Sequence, residues 1–365
     1  MTVQLVSIGE LVRAHYGKAL KDSDRRGGGQ HDVYGSSGII GRHDHCLVPY
    51  PTIVIGRKGS VGSVTFAPNG GWPIDTAFFI ELREPGRADL RYLYWALSNA
   101  RLDRRAITTS IPGLNRDELY RAKIRLPALS EQHRIAAMLD KADAVRQKRR
   151  ESATLLHQLL NSIFLDLFGD PIQNDRAWPQ LMLRDIASVE RGKFSPRPRN
   201  DPRYYGGPHP FVQTGDISRS DGTLRQWQQT LNEAGTSVSR MFPRGTIAMA
   251  IAANIGDTAI VEFDFYCPDS VVGIAAHSEL VLAEYLEFCL RFFKARLQAT
   301  APKTAQRNIN LQVLRPLRVP VPAIELQARF VNYRHRLTRL GERYSHGLLE
   351  LESLQSSLSH DAFFK

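Results

Sequence analysis

The sequence predicts an α+β chain: two similar mixed α/β domains separated by two long antiparallel helices paired as a coiled coil, the whole arranged as a pseudo-twofold internal repeat. Three observations lead there. The stretch 130–168 carries apolar residues at Ile135, Met138, Ala142, Val145, Leu156, Leu159 and Ile163, an alternation of three and four that marks one face of a helix. Adding 195 to those numbers gives Phe330, Tyr333, Leu337, Leu340, Leu351, Leu354 and Leu358, the same seam again. The match then runs on outside the helices, pairing Leu114 with Ile309, Asn115 with Asn310, Ile124 with Val319, Pro127 with Pro322, Gln132 with Gln327 and Arg134 with Arg329. A duplicated unit follows.

Each helix comes after a short strand ending in proline. Ser130 is the expected N-cap of the first, and Gly169 followed by Pro171 is its expected stop, glycine suiting a left-handed cap and proline blocking continuation. One such helix would leave its seam in water. Two antiparallel copies bury each other's, which sets the boundaries: a first domain over 1–128, a central helix over 129–170, a second domain over 171–323 and a C-terminal helix over 324–365.

Within the first domain, 3–13 is a short amphipathic stretch and the polar, glycine-rich run 21–30 is a loop. Strands are expected over 50–55, 62–66 and 75–82, and a helix over 90–100 from the spacing of Leu93 and Leu97. After a linker at 170–179 the same order restarts. Glu10-Leu11 with Gly17-Lys18 aligns with Asp185-Ile186 and Gly192-Lys193, and 34–39 aligns with 212–217 at an offset of 178. The offset then jumps to 194, pairing Thr52, Gly62 and Asp75 with Thr246, Gly256 and Asp269. The second copy's extra residues are therefore expected in two loops, near 197–210 and 218–245.

A chain of 365 residues with 42% hydrophobic and 23% charged content is long enough for more than one folded core. Its 48 Lys and Arg outweigh 37 acids, giving +11, and arginine dominates. That balance suits contacts to phosphates and bases, so a nucleic-acid partner is expected. Three widely spaced cysteines, Cys46, Cys267 and Cys289, indicate neither a disulfide framework nor a paired metal motif. No leader pattern and no long apolar run occurs, so the expected place is the cytoplasm, without a membrane partner.

Catalytic patterns are missing. None of the ten lysines has an acid two residues before it, as a common nuclease triplet would need. A phosphate-binding GxxxxGK(S/T) loop is absent, as are an aromatic-ended (N/D/S)PP tetrapeptide and a glycine-rich S-adenosylmethionine loop. His43-Asp44-His45-Cys46 has metal-like chemistry but no second ligand pair, so no metal site is assigned.

The candidate nucleic-acid contacts are loops that mix cations with hydrogen-bonding side chains. Arg104, Arg105, Thr108, Thr109 and Ser110 precede the first proline-ended strand, and Lys303, Thr304, Gln306, Arg307 and Asn308 stand in the same place in the repeat. Gln or Asn can pair with adenine and Arg with guanine, while the cations hold phosphates. Arg57 and Lys58 lie in the run 56–62, whose glycines serve a hairpin turn and a phosphate cradle equally well. In the second domain, Lys193, Arg197 and Arg199 flank a proline-rich loop, and Gln213 and Thr214 precede a Gly-Asp turn.

The 126–132 approach to the first helix, its shifted copy, and the segments 34–40 and 215–217 together resemble the DNA specificity subunits of type I restriction-modification systems, over nearly the whole chain. The resemblance implies two target recognition domains, each reading half of a split site in double-stranded DNA. It implies a non-catalytic chain that docks two modification (methyltransferase) subunits on its paired helices, where Gln132, Ile135, Leu139, Gln327 and Phe330 are the expected partner contacts. Restriction motor-nuclease subunits would join through that complex. No cofactor belongs to this chain; S-adenosylmethionine, ATP and Mg are expected in the partners. The alternatives are a stand-alone sequence-specific DNA-binding protein and a metal-dependent nuclease built on His43 and His45.

Overall fold

The computed structural model describes residues 4–25, 28–105, 113–300 and 308–363. They form two compact units, 1–153 with 343–365, and 154–342. The first contains β1 (Gln4–Ser7), α1 (Ile8–Leu11), β2 (Val12–Tyr16), β3 (His31–Gly35), β4 (Gly38–His43), β5 (Thr52–Gly56) and β6 (Val64–Ala67). It continues through β7 (Trp72–Pro73), β8 (Ala77–Leu82), α2 (Leu90–Asn99), α3 (Arg116–Arg121) and β9 (Lys123–Leu126) into α4 (Leu129–Phe168). The second contains β10 (Gln180–Met182), α5 (Leu183–Ile186), β11 (Ala187–Arg191), β12 (Tyr205–Pro210), α6 (Thr214–Arg219), β13 (Thr223–Leu224), β14 (Thr230–Leu231), α7 (Glu233–Ser237) and β15 (Arg240–Phe242). After these come β16 (Ile247–Ala250), β17 (Thr258–Val261), β18 (Phe265–Cys267), β19 (Val271–Ala276), α8 (Ala283–Phe292), α9 (Lys294–Thr300), α10 (Leu311–Leu314), β20 (Arg318–Pro320) and α11 (Ile324–Phe363).

The repeat holds element by element. In the first unit the main sheet has the order β2-β8-β5-β6; in the second it is β11-β19-β16-β17, extended by β13 in parallel with β17. The central strands are β-branched and alanine-rich runs buried along their whole length, Thr52–Gly56 and Ile247–Ala250, as a strand covered on both faces requires. Asn115 and Asn310 each cap the short helix that follows, accepting from Glu118 N at 2.7 Å and Val313 N at 3.2 Å. The Gly-Lys pairs recur because Gly17 and Gly192 end the first sheet strand against a neighbouring backbone: a Cβ would stand 2.1 Å from Ile74 O and 2.4 Å from Pro268 O.

Each 40-residue helix begins in one unit and ends in the other. In the first unit Ile135 and Leu139 of α4 share a core with Leu358 and Phe363 of α11, and Arg150 meets Glu352 at 2.9 Å further along. In the second, Phe164 of α4 lies 5.2 Å from Phe330 of α11, and Leu156 faces Gly341. The two helices therefore run antiparallel within each unit. Phe164, Phe168, Tyr285, Phe288, Phe292 and Phe330 form one aromatic cluster at the base of the second unit.

Several expectations are corrected. Ser130 lies inside α4, whose first turn starts at Leu129 with Ala128 O accepting from Glu131 N and Gln132 N. Part of the seam faces outward: Val145, Leu159, Tyr333, Leu340 and Leu354 are exposed, whereas Ala136, Leu139 and Phe164, outside the seam, are buried. A helix that keeps 3.6 residues per turn drifts about 20° per heptad from a strict 3.5-residue seam. The second copy's insertions are also more than loops. They include β12, which pairs with β14; β15, which pairs with β18 of the common fold; and also β13 and α7. At 33 and 211 the copies still correspond, since Val33 and Phe211 both pair in parallel with the same repeat strand, at Trp72 and Tyr266. Beyond that point the first chain turns into the hairpin β3–β4 and the second into α6. No helix among the described residues is long and apolar enough to cross a membrane.

Candidate nucleic-acid interface

The five expected partner contacts are structural instead, each being buried within its own unit. Ile135, Leu139 and Phe330 pack in the cores. Gln132 accepts from Asp89 N at 2.8 Å and donates to Pro127 O at 2.8 Å; Gln327 accepts from Leu282 N at 2.8 Å and donates to Pro322 O at 2.8 Å. Both amides latch the start of a long helix to the start of α2 or α8, and both are 1% exposed or less. A side chain so enclosed touches nothing outside its unit. The exposed apolar residues of the helices are others: Val145 and Leu354 in the first unit; Leu155, Leu159, Leu165, Tyr333 and Leu340 in the second.

At one end of the first unit's sheet the structure gathers several of the expected cations. Arg57 and Lys58 leave β5 in a loop whose Arg57 O accepts from Leu114 N at 2.9 Å, so the loop is pinned to the residues that follow 106–112. Gly62 in the same loop packs so closely on Leu102 and Asp103 that a Cβ would stand 2.4 Å from Asp103 N. That brings Arg104 and Arg105 alongside. Arg104 is exposed, and Arg105 stands 3.9 Å from Glu118. Arg101 hydrogen-bonds Asp103 and holds its carboxyl below its ordinary value. Thr108, Thr109 and Ser110 lie outside the described residues, as do Lys303, Thr304, Gln306 and Arg307.

Two residues here carry no sequence signal. Tyr16 is half exposed, with Arg57 Cζ 4.9 Å and Arg116 Cζ 4.6 Å from its ring centroid. Arg57 also donates to Asp75 O at 2.9 Å, and its Nε and that of Arg116 find no hydrogen-bond partner among the described residues. Separation of 41 and 100 residues from Tyr16 hides the group from any motif search.

The second unit repeats the pinning and changes the chemistry. Ile251 O accepts from Ile309 N at 3.0 Å, and Ala252 bridges Asn308, a half-buried residue whose buried side-chain oxygen is unpaired among the described residues. Where the first unit has Tyr16, the second has Arg191, bound to Asp269 O at 2.5 Å. Arg199 is also tied to Asp269, at 2.5 Å, and Arg197 donates to Pro196 O at 2.8 Å and Phe194 O at 3.2 Å. In this arrangement both arginines also help to hold the proline-rich loop in place. Lys193 is exposed and without an ion pair among the described residues; Thr214 opens α6. The Gln213 side-chain amide donates to the side-chain oxygen of Gln229, a residue outside the expected set. The run Gln226, Gln228, Gln229 was the available signal.

His43 and His45 pack edge to face at 5.4 Å, and His43 Nδ1 meets Asp24 O at 3.0 Å. Among the described residues no three His, Cys, Asp or Glu converge on one point.

Comparison with known proteins bears on this arrangement. A model of the type I restriction modification DNA specificity domain matches twice, over residues 1–155 and 176–348. Among solved structures, the type I restriction-modification system S subunit from M. genitalium is similar over 100% of this chain and 97% of its own, with a TM-score of 0.70 and 17% identity. A chain from work on complex assembly and conformational transition of the type I R-M system is similar over 99% and 97%, with a TM-score of 0.54 and 15% identity. Two matched copies cover most of the sequence and coincide with the repeat seen in the fold; the chain belongs to the type I restriction modification DNA specificity domain family.

Proposed function

We propose that the chain reads a split site in double-stranded DNA, one half with each unit, and carries two methyltransferase subunits on its long helices. The observation that carries this reading is the repeat itself. The same pinned loop closes the same end of both sheets, yet the side chains at equivalent places differ: Tyr16, Arg57, Lys58 and Arg116 in one unit stand where Arg191, Ile251, Ala252 and Leu311 stand in the other. Equal scaffolds with unlike contact sets suit two different half-sites, and a charge of +11 favours a phosphate backbone.

Methyl transfer then belongs to the partner subunits, which bring S-adenosylmethionine. Restriction belongs to motor-nuclease subunits using ATP and Mg, in the cytoplasm where the DNA lies. Exposed leucines on the helices supply a docking surface of the kind that soluble chains normally cover. Leu159→Asp combined with Leu354→Asp should abolish co-purification with the methyltransferase while circular dichroism and melting of the purified chain stay near wild type. Co-purification that survives this double change would remove the helices as the docking site.

A further inference from the structure

Between α6 and the segment joining β13 to β14, the second unit has an open pocket of about 380 Å³ lined by Gln213, Gly215, Asp216, Arg219, Gln228 and Gln229. Its lining is dominated by neutral amides. The one acid is nearly buried and satisfied: Asp216 accepts from Gln213 N at 2.9 Å and from Arg219 at 2.8 Å. A phosphate site would gather free cations and backbone N–H groups, whereas glutamine amides offer a donor and an acceptor side by side, the pattern that matches the N6 and N7 edge of adenine.

The amides are also held in place. Gln213 follows Val212, whose N–H donates to Tyr266 O at 2.8 Å, and Gln229 O accepts from Phe211 N at 2.9 Å. Ile217 and Val212 are anchored in the core behind them. The two side chains are joined to each other, so neither is loose before a ligand arrives. Gln228 is exposed and unpaired among the described residues. Lys193, a cation able to sit on a phosphate, hangs from the adjoining residue of the same strand through Cys267 O at 3.0 Å. The first unit has no counterpart, because there the chain turns into β4 where the second forms α6.

We infer that the Gln213–Gln228–Gln229 pocket reads an adenine edge in the half-site taken by the second unit. This rests on the chain being a specificity subunit. The test uses the full complex with its methyltransferase and measures binding to duplexes carrying the wild-type motif, with each base pair of both halves replaced in turn. If the wild-type complex prefers no split motif, the functional reading fails before this one is reached. Given such a motif, Gln213→Ala with Gln229→Ala should reduce discrimination on the order of ten- to a hundredfold at one or two adenine positions of a single half-site, leaving the other half untouched. Gln213→Glu, which keeps size but only accepts hydrogen bonds, should shift the preference at that position towards cytosine. Unchanged discrimination would overturn the proposal. So would a uniform loss of affinity for matched and mismatched duplexes alike, or a change spread over both halves.

Discussion

Gln132 and Gln327 each fasten the first turn of a long helix to a backbone N–H at the start of a shorter one. The pair was legible as part of the repeat, but the latch was not, since the groups it ties, Asp89 N and Leu282 N, lie more than forty residues away. Replacing Gln327 with Ala leaves the Leu282 N–H and the Pro322 and Leu280 carbonyls without this partner. Each buried group so abandoned costs about 1–3 kcal/mol. Denaturant unfolding of the purified chain should register a loss of at least about 1 kcal/mol for Gln327→Ala and a comparable one for Gln132→Ala; a loss below about 0.5 kcal/mol would contradict the latch. The cysteines give a second check at this scale. Cys267 and Cys289 are enclosed and burial pushes their thiols up, whereas Cys46 is half-buried. A thiol reagent should label one cysteine in the native protein and three after denaturation.

Among the elements, the strands and helices common to both copies were readable because β-branched runs, asparagine caps and proline-ended strands recur at fixed offsets. The copy-specific parts were not. Arg334 of α11 is an example: it stands where the first copy has Leu139, yet it reaches Glu287 of α8 at 2.8 Å and Gly222 O, before β13, at 3.0 Å. Glu287 is fully buried and takes further bonds from Arg291 and Thr258. Breaking one arm of a buried ionic cluster strands a charge, so Arg334→Leu should cost about 3–5 kcal/mol, and adding Glu287→Gln should recover part of it. An effect under 1 kcal/mol would show that the cluster does not hold these elements together. The helix seam departs from a strict heptad for a different reason: the buried face of each helix is wider than an a/d stripe and drifts along its length.

For the whole molecule, the repeat was legible from sequence because it lies in residue identities. The residues each helix end meets were not, as they depend on which core that end enters: Phe168 packs on Tyr285 at 4.8 Å and Phe363 on Tyr92 at 5.6 Å. If the helices set the distance between the half-sites, four residues added to each at matching places extend them by about 6 Å. With roughly 3.4 Å per base step, the unread spacer should grow by one or two base pairs. An unchanged spacer would remove the helices as a ruler.

The most direct measurement is to express the chain with its cognate methyltransferase in a host free of DNA methylation and to map modified bases across the genome by single-molecule sequencing. A split motif that appears with the chain and vanishes without it is the expected result. Methylation at the same motif in its absence, or none from a complex that demonstrably assembles, would contradict the assignment of site reading to this protein.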